Sequence, residues 1–134
     1  MKQFLLDANV IVRFMLQDEP KQASASVTLM EKAERGECLL HLDPLVVAEV
    51  IYVLVGVYSR NRVDVAKALL ALIHNSGIET MEEHVVSDAL LRFESSNVDF
   101  ADAWLAARSL QAGFPVASFD RDFDKFKDIK RFEP

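Results

Sequence analysis

Short apolar runs closed by polar or turn residues alternate along this chain with longer stretches in which apolar positions recur at helical spacing. The runs at residues 3–6, 38–42, 78–80 and 115–118 predict strands, and 131–132 a last edge strand. The first of them, apolar and brief, reads as a buried strand. Helical spacing predicts helices over about 9–16, from "DEP" at 18–20 to about 34, and over 45–58, 64–75, 82–94 and 99–112. Residues 120–126 predict a helical turn. Pro20 falls in a first helical turn, Asp43 and Pro44 form a cap and first turn, and Gly36 and Gly113 act as stops. Strands alternating with helices predict an α/β fold, a three-layer α/β/α sandwich around a central parallel sheet of about five strands. At 134 residues the chain is expected to form one domain over 1–134.

The informative positions are those where the pattern is broken by a charge. In "FLLDANVIVRF", residues 4–14, Asp7 closes the first strand between two apolar segments. Its ordinary role is to cap the following helix; its functional role is to bind a metal at a strand end. Glu49 is the only charge in "LVVAEVIYVLVGVY", residues 45–58. A helix apolar nearly all round is expected to be buried, so Glu49 needs a cationic partner or a metal. In "VDFADAWLAARS", Asp99 and Asp102 share a helical face; both suit a first turn, with Asp99 the better cap and Asp102 the better ligand. In "ASFDRDFDKF", Asp120 directly follows a strand and is the ligand candidate, whereas Asp122 and Asp124 read as surface or capping residues. Ser118 either donates a hydroxyl to a metal shell or forms a turn. In parallel α/β sheets the working site lies beyond the carboxyl ends of the strands, where Asp7 and Asp120 both fall.

Composition narrows the chemistry. Half of the residues are hydrophobic (51%), enough for a core. The single cysteine, Cys38, excludes an intrachain disulfide, and no Cys/His set has zinc spacing. Oxygen-only candidate ligands indicate a hard cation, Mg²⁺ or Mn²⁺. The net charge of −6 argues against a broad basic nucleic-acid surface, but not against a nucleic acid held through metal ions. The apolar run at 45–58 is too short for a membrane span, and the chain start is not a signal peptide, so a cytoplasmic protein is expected.

Taken together, "LLDANVIVRFMLQDEPKQ", "VVAEVIYVL", "VDFADAWLAA" and "VASFDRDF" resemble the PIN-domain ribonucleases, most closely the VapC-type toxins of toxin–antitoxin pairs. The resemblance covers nearly the whole chain, with the motifs in the family's order. It implies that Asp7, Glu49, Asp102 and Asp120 are the catalytic, metal-binding acids. Asn9 would support them by hydrogen bonding, Ser118 stands where the family often has threonine, and Ala8 where a hydroxyl residue is common. Asp99 matches a position acidic in only some relatives.

The resemblance further implies a Mg²⁺- or Mn²⁺-dependent endoribonuclease that leaves a 5′-phosphate and a 3′-hydroxyl. An RNA substrate, a cognate antitoxin protein and a homodimer come with it, and no membrane. Apolar surface for such partners is expected on the helices over 20–34 and 64–75. Three other readings compete. An aspartyl-phosphate enzyme would need a second acid where this chain has Asn9. A non-catalytic PIN-like binding module would not need all four acids. An RNA-processing nuclease outside a toxin–antitoxin pair would have the same residues.

Overall fold

A computed structural model describes all 134 residues, Met1–Pro134. They group into two compact units, Met1–Met81 and Glu82–Pro134. In the first, β1 (Lys2–Leu5), β2 (Cys38–Leu42) and β3 (Ile78–Thr80) form a parallel sheet in the order β1-β2-β3. Lys2 stands opposite Cys38, and Leu40 opposite Ile78. Parallel neighbours need long crossovers. Here α1 (Ala8–Leu16) and α2 (Pro20–Glu34) lead from β1 to β2. From β2, the chain reaches β3 through α3 (Pro44–Ile51), a π-helical segment (Tyr52–Val57) and α4 (Arg62–Ile73).

Local chemistry sets these boundaries. Glu19 accepts a hydrogen bond from the Gln22 amide (2.6 Å) ahead of Pro20, Asp43 from that of Leu45 (2.8 Å) ahead of Pro44, and Asn61 from that of Asp64 (3.1 Å). Each satisfies an amide that the first helical turn leaves without a partner. The Asn61 cap is why α4 starts before residue 64.

Three expectations need correction. β1 is not a buried strand: all four of its residues are exposed, Leu5 to 76%, because β1 is the edge of its sheet and has β2 on one side only. The middle strand β2 carries the core instead, through Cys38, Leu40 and Leu42. The helix over 45–58 is regular only to Ile51, continues as π-helix, and is not buried all round. Val47, Val50, Ile51 and Leu54 form its covered stripe, while Leu45 (77% exposed), Glu49 and Tyr52 (72%) form an outward one. Packing is decided by neighbours, and an apolar residue on the far side of a helix stays in water. Finally, neither α2 nor α4 exposes a large hydrophobic side chain. Those of this unit include Leu45, Tyr52, Val57 and Tyr58 on and after α3.

The second unit pairs α5 (Glu83–Ser95) with α6 (Phe100–Ala112). Ala89, Ala103, Ala106 and Ala107 are buried, and Phe93 meets Phe100 edge-on with ring centroids 6.1 Å apart. A short parallel pair follows, β4 (Val116–Ala117) and β5 (Arg131–Phe132), linked by a 3-10 turn (Arg121–Lys125). Arg92 fastens the tail to α5. It is 8% exposed, bonds Asp128 at 2.8 and 2.6 Å and Asp88 at 3.0 Å, and stacks over Phe126. The α/β expectation with purely parallel pairing therefore holds, with the five strands hydrogen-bonded as a set of three and a set of two.

Gly77 is a point of backbone contact. A Cβ there would lie 2.6 Å from the Ala33 carbonyl oxygen and nearer still to the Ala33 Cβ. Gly77→Ala is expected to lower stability by roughly 1–3 kcal/mol, as overpacking against a main chain does. Urea denaturation measures this, and an unchanged midpoint would contradict the contact.

Candidate metal centre

Asp102, Asp120 and Asp122 come together in the second unit. One carboxylate oxygen of each lies within 4.8 Å of the other two. Two elements place them. Asp102 is in the first turn of α6. Asp120 and Asp122 come from the end of β4 and the 3-10 turn, where three short bonds set the chain's path. The Asp120 amide donates to the Ser118 hydroxyl (2.9 Å), and the Asp122 amide donates to the Asp120 carboxylate (2.8 Å). The Ser118 amide donates to the Phe132 carbonyl (3.0 Å), which ties this turn to β5. Ser118 thus forms the turn that orients Asp120.

The electrostatics are those of a site short of positive charge. Burial, and then the charges of Asp120, Asp99 and Asp122, push the Asp102 carboxyl up from its ordinary value. Asp124, by contrast, is held down by hydrogen bonds from Arg131 at 3.0 and 3.2 Å and is already neutralised. Lys125 reaches Asp122 at 3.3 Å. Two oxygens bound directly to one small divalent ion at ~2.1 Å can be at most ~4.2 Å apart. The three oxygens, all within 4.8 Å of one another, lie close to that limit. The all-oxygen donor set, with one cation beside three acids, fits a divalent cation.

The remaining sequence-predicted residues are placed as follows. Asp99 stands at the N-cap position of α6 but makes no capping hydrogen bond, contrary to its expected role, and it adds to the field that raises Asp102. Asp7 likewise occupies the N-cap position of α1, is exposed, and does not cap it. Glu49 is exposed on the outward stripe of α3, so the expectation of a buried carboxylate is overturned. The Asn9 amide is engaged by Gln22 (3.4 Å) and Arg13 (3.3 Å). Asp122 is the residue that sequence reading set aside. Its signal was the two-residue spacing from Asp120, which lets one carboxylate cap the amide of the next.

A family model for the PIN domain matches residues 4–129. The chain belongs to the PIN-domain family. This family includes many ribonucleases, some of which are toxins. No curated protein matches the chain. An acidic cluster in a PIN domain is consistent with metal-dependent nuclease chemistry, and no helix of this PIN domain is long and apolar enough to cross a membrane.

A group whose carboxyl is raised on folding destabilises the native state once ionised, and the cost disappears as pH falls through the raised value. Asp102→Asn is therefore expected to stabilise the cation-free protein at neutral pH, by no more than roughly 0.5 kcal/mol given solvent screening. The difference should close on acidification toward the ordinary carboxylate range. A divalent cation at about 100 times its Kd should stabilise the unmodified protein by ~2.7 kcal/mol, and Asp120→Asn should remove most of that gain. Thermal melts in EDTA and in cation, across pH, check both.

Proposed function

We propose that this PIN domain is a Mg²⁺- or Mn²⁺-dependent endoribonuclease and the toxin of a VapBC-type pair. The observation that carries the reading is the Asp102–Asp120–Asp122 cluster in a chain of this family. Asp102, Asp120 and Asp122 would hold the ion. A bound divalent ion supplies a water of lowered pKa and offsets charge that develops on phosphorus. The Ser118 turn fixes the Asp120 carboxylate through main-chain hydrogen bonds, so the carboxylate is set before the substrate arrives. No histidine belongs to the cluster, so the residues present offer ligands and orientation rather than a dedicated general base. The products are a 5′-phosphate and a 3′-hydroxyl.

Asp7 and Glu49 are assigned catalytic and metal-binding roles in the same reading. Support for them is their place in the motif pattern, together with their freedom: neither forms an ion pair, and Asp7 declines the cap that its position offers. Asn9, two residues on in the first turn of α1, is assigned a supporting role in the same reading. The chain is taken to work as one PIN-like domain over 1–134, in the cytoplasm, as a homodimer. The outward stripe of Leu45 and Tyr52 on α3 and beyond, continued by Val57, is the surface offered to an antitoxin or a second copy.

The test is cleavage of a mixed set of structured RNAs by the purified protein in Mn²⁺ or Mg²⁺, with EDTA as control. Cleavage should require the cation and fall at least ~100-fold in Asp7→Asn, Asp102→Asn and Asp120→Asn. Cleavage that survives EDTA, or full activity in any of these folded variants, would refute the assignment. Suppression of host growth, relieved by co-expression of a neighbouring small reading frame, distinguishes the toxin from an RNA-processing enzyme.

A further inference from the structure

Lys125 stands apart from the other cations around the cluster. Its ammonium lies 3.3 Å from an Asp122 carboxylate oxygen and donates to the Asn97 carbonyl at 3.1 Å. It therefore bridges the two segments that carry the acids, the 3-10 turn and the chain leading into α6. Two neighbouring cations are otherwise engaged. Arg131 is held by Asp124 and Glu133, and the Lys127 ammonium donates to the Asp124 carbonyl.

We propose that Lys125 is a resident counter-cation that competes with the divalent ion for Asp122. The inference rests on the metal-centre reading and concerns how that centre loads. Two observations favour competition over a fixed brace. The pair is nearly half exposed on both sides, Lys125 at 44% and Asp122 at 45%, so it is screened and opens at little cost. Its compensation is also confined to one acid. The Lys125 ammonium pairs with Asp122 and with neither Asp102 nor Asp120, so the cluster keeps its attraction for a second cation. An incoming ion then meets a positive charge 3.3 Å from one of its own ligands, and Asp122 exchanges one partner for the other. Lys125 is a positioning residue in this account, acting through Asp122.

The experiment is titration of the full chain with Mn²⁺ alone, followed by calorimetry, in unmodified protein and in Lys125→Gln, Lys125→Arg and Lys127→Gln. Lys125→Gln should bind Mn²⁺ roughly two- to five-fold more tightly, the range that loss of an exposed ion pair supports. Lys125→Arg should restore the unmodified affinity. Lys127→Gln, which removes the same charge outside the pair, should change it little. Unchanged affinity in Lys125→Gln overturns the proposal, and so does weaker binding, which would make Lys125 a brace. Equal tightening in Lys127→Gln overturns it too, by assigning the effect to net charge. If the unmodified protein binds no Mn²⁺, the metal-centre reading fails and takes this inference with it. Binding with no Lys125 effect leaves that reading standing and rejects only the competition.

Discussion

Three like charges held within 4.8 Å are the constraint that organises the second unit. Carboxylates so placed repel each other, and nothing apolar brings them together. What holds them is main chain: the first turn of α6, and a turn in which the Ser118 hydroxyl and the Asp120 carboxylate accept from the amides of Asp120 and Asp122. The bond from the Asp122 amide orients the Asp120 carboxylate, while that of Asp122 is held by its exposed pair with Lys125. Burial, and then the charges of Asp120, Asp99 and Asp122, raise the Asp102 carboxyl. Such a site stores in its empty form part of the free energy that a cation releases on binding.

The surrounding ion pairs keep other acids out of that arrangement. Asp124 and Asp128 lie close in sequence to Asp122, yet each is matched with an arginine, Arg131 and Arg92 respectively, and each carboxyl is lowered as a result. The same pairs fix the tail. Arg92 joins α5 to the tail beyond the 3-10 turn, and Arg131 joins that turn to the Ser118 carbonyl (3.1 Å). Charge is therefore sorted over a short stretch of chain into arginine-paired acids that build the scaffold and cluster acids of which only Asp122 has a cation, the exposed Lys125.

Much of this was legible in the sequence, for identifiable reasons. Strand and helix order followed from apolar spacing and from caps such as Asp43 and stops such as Gly113, whose backbone is left-handed (φ 78°). Asp102 and Asp120 stood out because each falls where a helix begins or a strand ends. What escaped was whatever depends on neighbours. Glu49 apart, the outward face of α3 and its continuation carries apolar residues such as Leu45 and Tyr52, so the apolar pattern did not mark that face as exposed. The π-helical segment at Tyr52–Val57 had none either. Asp122 was passed over because an acid-rich loop is ordinarily solvated, and only the turn geometry separates it from Asp124.

The contact at Gly77 bears on motion. β3 has three residues and lies at a sheet edge, the kind of strand that ordinarily frays. Here the turn before it touches the Ala33 backbone, the Gly77 carbonyl accepts from the Leu40 amide (3.0 Å), and Asn75 donates to Glu34 (2.8 Å). These links join the end of α2, the middle strand and the edge strand into a single body. Amide exchange along β3 then reports opening of the whole first unit rather than local breathing, and the sheet edge becomes one of its slowest-exchanging regions.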